Sequence, residues 1–170
     1  MPGRSPFAHP LKEGYYMRPH NITYQTCLKR VSGAVAAGTT DTLTFTEVDC
    51  KGYRNARIIV VLGAVTATGT ARLNAKGSDT SATYGAGTID TYCPAANEPI
   101  GTTGDSQKIL SLEIHRLRRR YLRAQLVRAT ANVAIECVIV ELFNAEEVPA
   151  GAGDTTSTQT VLNNPVPSAT

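Results

Sequence analysis

The feature that most limits this chain is a run of strict alternation in its last third. In "KILSLEIHR", Leu110, Leu112 and Ile114 alternate with Ser111, Glu113 and His115. In "RYLRAQLVR", Leu122, Ala124 and Leu126 alternate with Tyr121, Arg123 and Gln125. Apolar residues at every second position share one face of an extended chain, whereas on a helix they would be scattered round the axis. Both segments therefore read as half-buried strands. "NVAIECVIVELF" follows, with Val133, Ile135, Cys137 and Ile139 on one side. Its other side carries Ala134, Glu136, Val138 and Val140, so this strand is expected to be buried in part on both faces. The short polar stretches "RLRR" and "ATAN" between the three predict an antiparallel meander.

The earlier sequence reads the same way. Ile22, Tyr24 and Thr26 alternate with Thr23, Gln25 and Cys27, and "SGAVAAGTTD" reads as a flexible connection. "TLTFTEV" puts Leu43 and Phe45 on one face. Residues 57–65 are apolar on both faces and rich in β-branched side chains, as a central strand would be. "TATG" reads as a turn into a strand that points Leu73 and Ala75 inward. "KGSDTSATYGAGT" and "CPAANEPIGTTGDSQ" have loop composition. Helix-forming Glu/Lys/Leu runs are missing and Ala, Thr and Gly are abundant. The expected fold is therefore mainly β: a single antiparallel β-sandwich, jelly-roll-like, over residues 20–144.

Two arms are expected to flank it. Residues 1–19 carry Pro2, Pro6, Pro10 and Pro19, which oppose regular structure, yet also Phe7, Leu11, Tyr15, Tyr16 and Met17. So many large apolar groups suit a segment that becomes ordered by lying on its own domain or a neighbour. Residues 145–170 are rich in Gly, Pro, Ser and Thr and read as a C-terminal arm.

The longest apolar run, residues 58–65, falls far short of the roughly 20 residues of a membrane helix. The N-terminus has no apolar signal core, so cytoplasmic synthesis is expected, with no membrane partner. Cys27, Cys50, Cys93 and Cys137 include no CxxC pair and read as ordinary buried thiols; later oxidation to disulfides stays open. His9 and His20 fall in the arm and His115 on an outward face. GxSxG, HExxH and phosphate-loop spacings are all missing, and carboxylates such as Glu47, Asp49, Glu136 and Glu141 are scattered. The chain is not expected to be an enzyme or to need a cofactor or metal.

One charge feature stands out. Of 17 Lys and Arg, six lie within residues 115–128: Arg116, Arg118, Arg119, Arg120, Arg123 and Arg128. If residues 117–121 continue a strand, Arg118 and Arg120 share a side. Arginine forks bind carboxylates bidentately, which suits docking on an acidic protein surface. A merely solvated strand face is the competing reading. Single-strand nucleic-acid binding would call for aromatic platforms, and only Tyr121 lies in the run. The expected interface set is Arg116, Arg118, Arg119, Arg120 and Arg123, with Phe7, Leu11, Tyr15 and Tyr16 of the arm.

The stretch "SLEIHRLRRRYLRAQLVRATANVAIECVIVELFNAEEVP" resembles the tailed-bacteriophage capsid decoration, or cement, proteins. The shared pattern is a strand ending at Arg116, the "RRYLR" of Arg119–Arg123, the "RATAN" of Arg128–Asn132, an apolar strand, and Phe143 before a charged exit to Pro149. Residues 60–79 are similar to the earlier half of the same type, though the linker after "SD" is less acidic than is usual there. The resemblance implies a structural virion protein on the capsid exterior that stabilises contacts between capsomers. Its partners would be the major capsid protein and itself, as a homotrimer or dimer, with no direct nucleic-acid binding. A tail or head-tail connector component is the alternative, ahead of a carbohydrate-binding jelly roll or a nucleic-acid-binding protein.

Overall fold

The computed structural model describes residues 26–84, 90–93 and 98–146. Within them the alternating segments form strands, with one 3-10 turn at Thr103–Asp105 and no α-helix. In chain order the strands are β1 (Cys27–Ser32), β2 (Val35–Gly38), β3 (Asp41–Thr44), β4 (Val48–Asp49), β5 (Tyr53–Val65) and β6 (Thr70–Ser78). β7 (Asp90–Thr91), β8 (Ile100–Gly101), β9 (Ile109–Ile114), β10 (Tyr121–Ala129) and β11 (Val133–Ala145) follow. The expected N-terminal arm, the strand residues 22–25, and residues 147–170 of the C-terminal arm lie outside the described residues.

The strands make two antiparallel sheets packed face to face, a β-sandwich. The first sheet has the order β1-β11-β5-β9, with β2 beside β1 on β11. The second has the order β3-β10-β6-β7, with β4 on β10 and β8 on β6. β1 with β2, β3 with β4, and β7 with β8 act as interrupted single strands, which leaves eight in all. Counted that way, the first pairs with the eighth, the second with the seventh, the third with the sixth, and the fourth with the fifth.

Between the sheets lies one apolar core. Ile58, Val60 and Leu62 of β5, Leu73 of β6, Leu122 and Leu126 of β10, and Val138, Val140 and Leu142 of β11 are all fully buried. The inward rows read from the sequence on β6, β9 and β10 are those observed, and β5 is central, between β11 and β9.

Three expectations are corrected. The segments of the last third are not a meander: β9 and β11 belong to the first sheet and β10 to the second. Their connections are corners between layers, because sheets about 10 Å apart can be bridged by three residues of extended chain. The supposedly flexible "SGAVAAGTTD" contains β2, recruited as an edge onto β11. On β11 the inward row is Val133, Ile135, Val138, Val140 and Leu142, so Cys137 and Ile139 face outward, away from Val133 and Ile135. Register shifts on either side of Ile135 cause this: an extra residue there reverses the facing of everything after it.

At the end of β10 the inward row finishes in a charge. Arg128 is 4% exposed. Its guanidinium donates to the Ala36 carbonyl of β2 and the Val133 carbonyl of β11, each at 2.8 Å, and to the Asp41 carboxylate of β3 at 2.6 Å. These partners come from both sheets, so the residue fastens the layers together where β2, β3, β10 and β11 turn.

Leu126→Ala is expected to lower unfolding free energy by about 2–5 kcal/mol. Val127→Ala, on the outward row of the same strand, is expected to cost under about 1 kcal/mol. Denaturant titration of both variants checks the assigned facing; similar costs would contradict it.

Candidate docking site

The arginine run is a loop followed by a strand. Residues 115–120 carry the chain from β9 to β10, so Arg118 and Arg120 are not placed by strand alternation, contrary to the strand-continuation reading. The loop is held by its own backbone. The Arg116 amide donates to Asn55 Oδ1 at 3.0 Å and the Leu117 amide to the Arg54 carbonyl at 2.7 Å. The Arg118 and Arg119 amides both donate to the Tyr92 hydroxyl oxygen at 3.1 Å, and the Arg120 carbonyl accepts from the Cys50 amide at 2.7 Å. Leu117 packs against the core beneath. Tyr92 can reach the loop because Gly77 leaves room: a Cβ there would lie 2.6 Å from the phenol ring.

The side chains fall into two groups. Arg116 and Arg118 are exposed at the loop's turn, Arg118 with its guanidinium 5.6 Å from the Tyr92 ring centre. Arg119 pairs with Asp79, and Arg120 holds the Asp49 carboxylate through Nε and Nη2, at 3.1 and 2.8 Å. Arg123 points outward from β10 and stacks 3.7 Å over the Tyr84 ring, with no hydrogen-bond partner for its buried Nε. The structure thus brings all five predicted arginines to one end and the adjoining face of the second sheet, with Arg119, Arg120 and Arg123 against Asp79, Asp49 and Tyr84 and Arg118 over Tyr92. Phe7, Leu11, Tyr15 and Tyr16 lie outside the described residues.

Sequence reasoning missed the tyrosines. Tyr84 sits in a stretch that reads only as a loop and Tyr92 in residues 89–92, to which the sequence reading assigns no element, yet each lies against an arginine. Burial pushes the Tyr84 phenol well up, helped by its hydrogen bond to Glu47. Burial would also raise Glu47, but hydrogen bonds from Ser81, the Ala82 amide and Tyr84, with Arg123 nearby, hold that carboxyl below its usual range. An aromatic residue embedded in a Gly/Ser/Thr-rich loop was the available signal.

Among the described residues no group of three His, Cys, Asp or Glu side chains could hold a metal ion. His115 is a surface imidazole 3.1 Å from Glu113. Cys27, Cys50 and Cys93 are buried thiols outside any disulfide, as expected, and burial pushes Cys50 up to about 12, away from nucleophilic use. Cys137 is half-exposed. No described helix is long and apolar enough to cross a membrane. What the arrangement can do is present fixed cations to an anionic surface. A scan against protein-family models finds no match, and neither does a search of the curated proteins.

Two measurements follow. Tyr92→Phe removes the acceptor for two amides, so hydrogen exchange at Arg118 and Arg119 is expected to speed up about tenfold, with a stability loss of about 1 kcal/mol. Unchanged exchange would mean the loop is fixed by other contacts. The second concerns acid. Hydrogen bonding by Arg128 holds Asp41 below its ordinary 3.8, and hydrogen bonding by Arg120 does the same for Asp49. Carboxylates depressed in the folded state contribute stability above that unfolded value and lose it as pH falls through the folded one. The unfolding midpoint is therefore expected to drop below about pH 4, less steeply in Asp41→Asn and Asp49→Asn.

Proposed function

We propose that this chain is a structural virion protein, a capsid cement that docks on the outside of a tailed-phage head through the β9–β10 loop. The observation that carries the reading is the fixation of that loop. Four successive amides, from Arg116 to Arg119, each have an acceptor within the domain. A loop ordered in advance loses little entropy on binding, so its exposed charges contribute more of their interaction free energy to affinity. Arg116 and Arg118 are the cations it presents, and their forks suit carboxylates on an acidic capsid surface.

The fold supports the same reading. The nested pairing of first with eighth, second with seventh, third with sixth and fourth with fifth strand is what results from rolling a long hairpin into two sheets, and we propose that the sandwich is a jelly roll. Such domains serve as capsid and carbohydrate-binding modules among others, so the fold alone does not choose. A sugar-binding jelly roll would be expected to offer an aromatic-lined groove, whereas Tyr84, Tyr92 and Tyr121 each lie against an arginine. The resemblance over residues 111–149 adds the virion setting. The partners in this reading are the major capsid protein and further copies of the chain.

Co-sedimentation with undecorated capsids and, separately, with duplex DNA across a salt series tests it. Saturable binding to capsids, weakened about tenfold or more by Arg116→Ser with Arg118→Ser, is the expected result. Unchanged capsid affinity in that variant would return the cluster to a solvated surface. Binding to DNA alone, falling steeply with salt as counterions are released, would replace the cement reading with a nucleic-acid one.

A further inference from the structure

Two sheets have four edges, and among the described residues three of them are broken. β1 and β2 share one edge of the first sheet, with a register shift between Arg30 and Ser32. β3 and β4 share one edge of the second sheet and β7 and β8 the other, in pieces of four residues or fewer. Short or kinked pieces keep further strands from adding to a sheet. β9 is built differently. It is six residues long, has no proline, and pairs with β5 from Ile109 to Ile114 without a register shift. No described strand pairs with its other side.

Alternation says which groups that side offers. The Leu62 amide donates to the Lys108 carbonyl at 2.8 Å, so the backbone of Lys108 turns toward β5. Successive residues of an edge strand turn their backbone groups opposite ways. Leu110, Leu112 and Ile114 therefore bond to β5. Ile109, Ser111 and Glu113 turn their N–H and C=O groups off the edge. The side chains of the same three are exposed, Ile109 at 61%.

Those three residues are centred on Ser111, and this suits the edge to a second copy of itself. An antiparallel copy with Ser111 opposite Ser111 brings Ile109 opposite Glu113 on either side. All three pairs then exchange N–H and C=O bonds, and any other register within β9 matches fewer of them. Glu113 faces Ile109 rather than a like charge, and the two Ser111 hydroxyls meet at the axis. On the inward row Leu110 comes opposite Leu112, so apolar packing continues across the join.

We propose that two copies of the chain join β9 to β9 about a two-fold axis through Ser111, making one continuous sheet of their first sheets. This gives a surface to the self-association included in the cement reading. It does not rest on capsid binding, because it is read on the purified chain alone and through residues outside the arginine loop.

Sedimentation equilibrium of the full chain over a concentration series is expected to show reversible dimerisation, with a dissociation constant on the order of micromolar for so small a join. Ser111→Pro removes the amide at the axis and none of the bonds to β5, so the fold is expected to persist while dimerisation weakens about tenfold or more. Ile109→Lys puts a charge on the edge without touching the backbone and is expected to act the same way. In a Cys137→Ser background, Ser111→Cys is expected to oxidise to a disulfide-linked dimer, because opposite residues that exchange bonds lie about 5.5 Å apart at Cα. Glu113→Cys is not, its two copies being about 14 Å apart along the strands. A chain that stays monomeric at millimolar concentration, a trimer, or a dimer unchanged by both Ser111→Pro and Ile109→Lys would overturn the proposal. So would slow hydrogen exchange at the Ile109, Ser111 and Glu113 amides in the dilute monomer, which would assign the edge to a segment of the same chain.

Discussion

The sandwich rests on a constraint that its two longest strands cannot meet with straight geometry. β5 and β11 each run for thirteen residues at the centre of the first sheet, and each must keep an apolar row on the second sheet throughout. Twist makes long strands drift away from a facing layer. Offset bulges near Leu62 and Ile135 correct the drift. Along β11 the inward row passes from Val133 and Ile135 to Val138, Val140 and Leu142 without a gap in burial. The consequence appears on the opposite side. Once the facing reverses, Cys137 and Ile139 are turned outward, and the sheet acquires an apolar exterior that a water-facing layer does not need.

Charge is used in a similarly structural way. A buried guanidinium is costly unless all its donors are matched. Arg128 comes close to that condition with four hydrogen bonds to partners on both sheets, two to carbonyls and two to one carboxylate. It therefore fixes the relative position of the layers at the end where β2 meets β3 and β10 meets β11. Arg119, Arg120 and Arg123 act closer to the surface, on Asp79, Asp49 and Tyr84. Exposed pairs of this kind contribute little to stability singly. Their effect is on geometry: they draw the "SD" turn after β6 and the edge strand β4 against β10.

The sequence declared the facing of side chains well and their partners poorly. Leu110, Leu112 and Ile114, or Leu122, Ala124 and Leu126, are inward because period two admits no other arrangement. Period two does not say whether the next strand lies beside its predecessor or across the core from it. The links 115–120 and 130–132 look like hairpin turns, yet both are corners. Only the nested pairing of distant segments, such as Cys27 with Leu142 and Ile58 with Leu112, distinguishes the two cases, and such contacts leave no local trace. Bulges were hidden for the same reason: "AIECVIV" is apolar on both rows, so a one-residue shift costs the pattern nothing. β2, β7 and β8 are edge strands, formed by the neighbours that recruit them. At the candidate site the arginines were legible as a charge run, but Tyr84 was hidden in loop-like sequence and Tyr92 in a short stretch with no pattern of its own.

Loop length adds a last step. The β10–β11 corner crosses between layers in three residues and the β2–β3 corner in two, so topology does not require the six of the β9–β10 link. Surplus chain at a corner normally costs ordering entropy. Here it is ordered by specific partners instead: Asn55, the Arg54 carbonyl, and Tyr92 in the space left by Gly77. Tyr92 and, beneath the loop, Leu117 also pack against the core. A segment longer than the fold needs, fixed at nearly every amide and tipped with Arg116 and Arg118, is the arrangement expected where a surface has been shaped to meet another molecule.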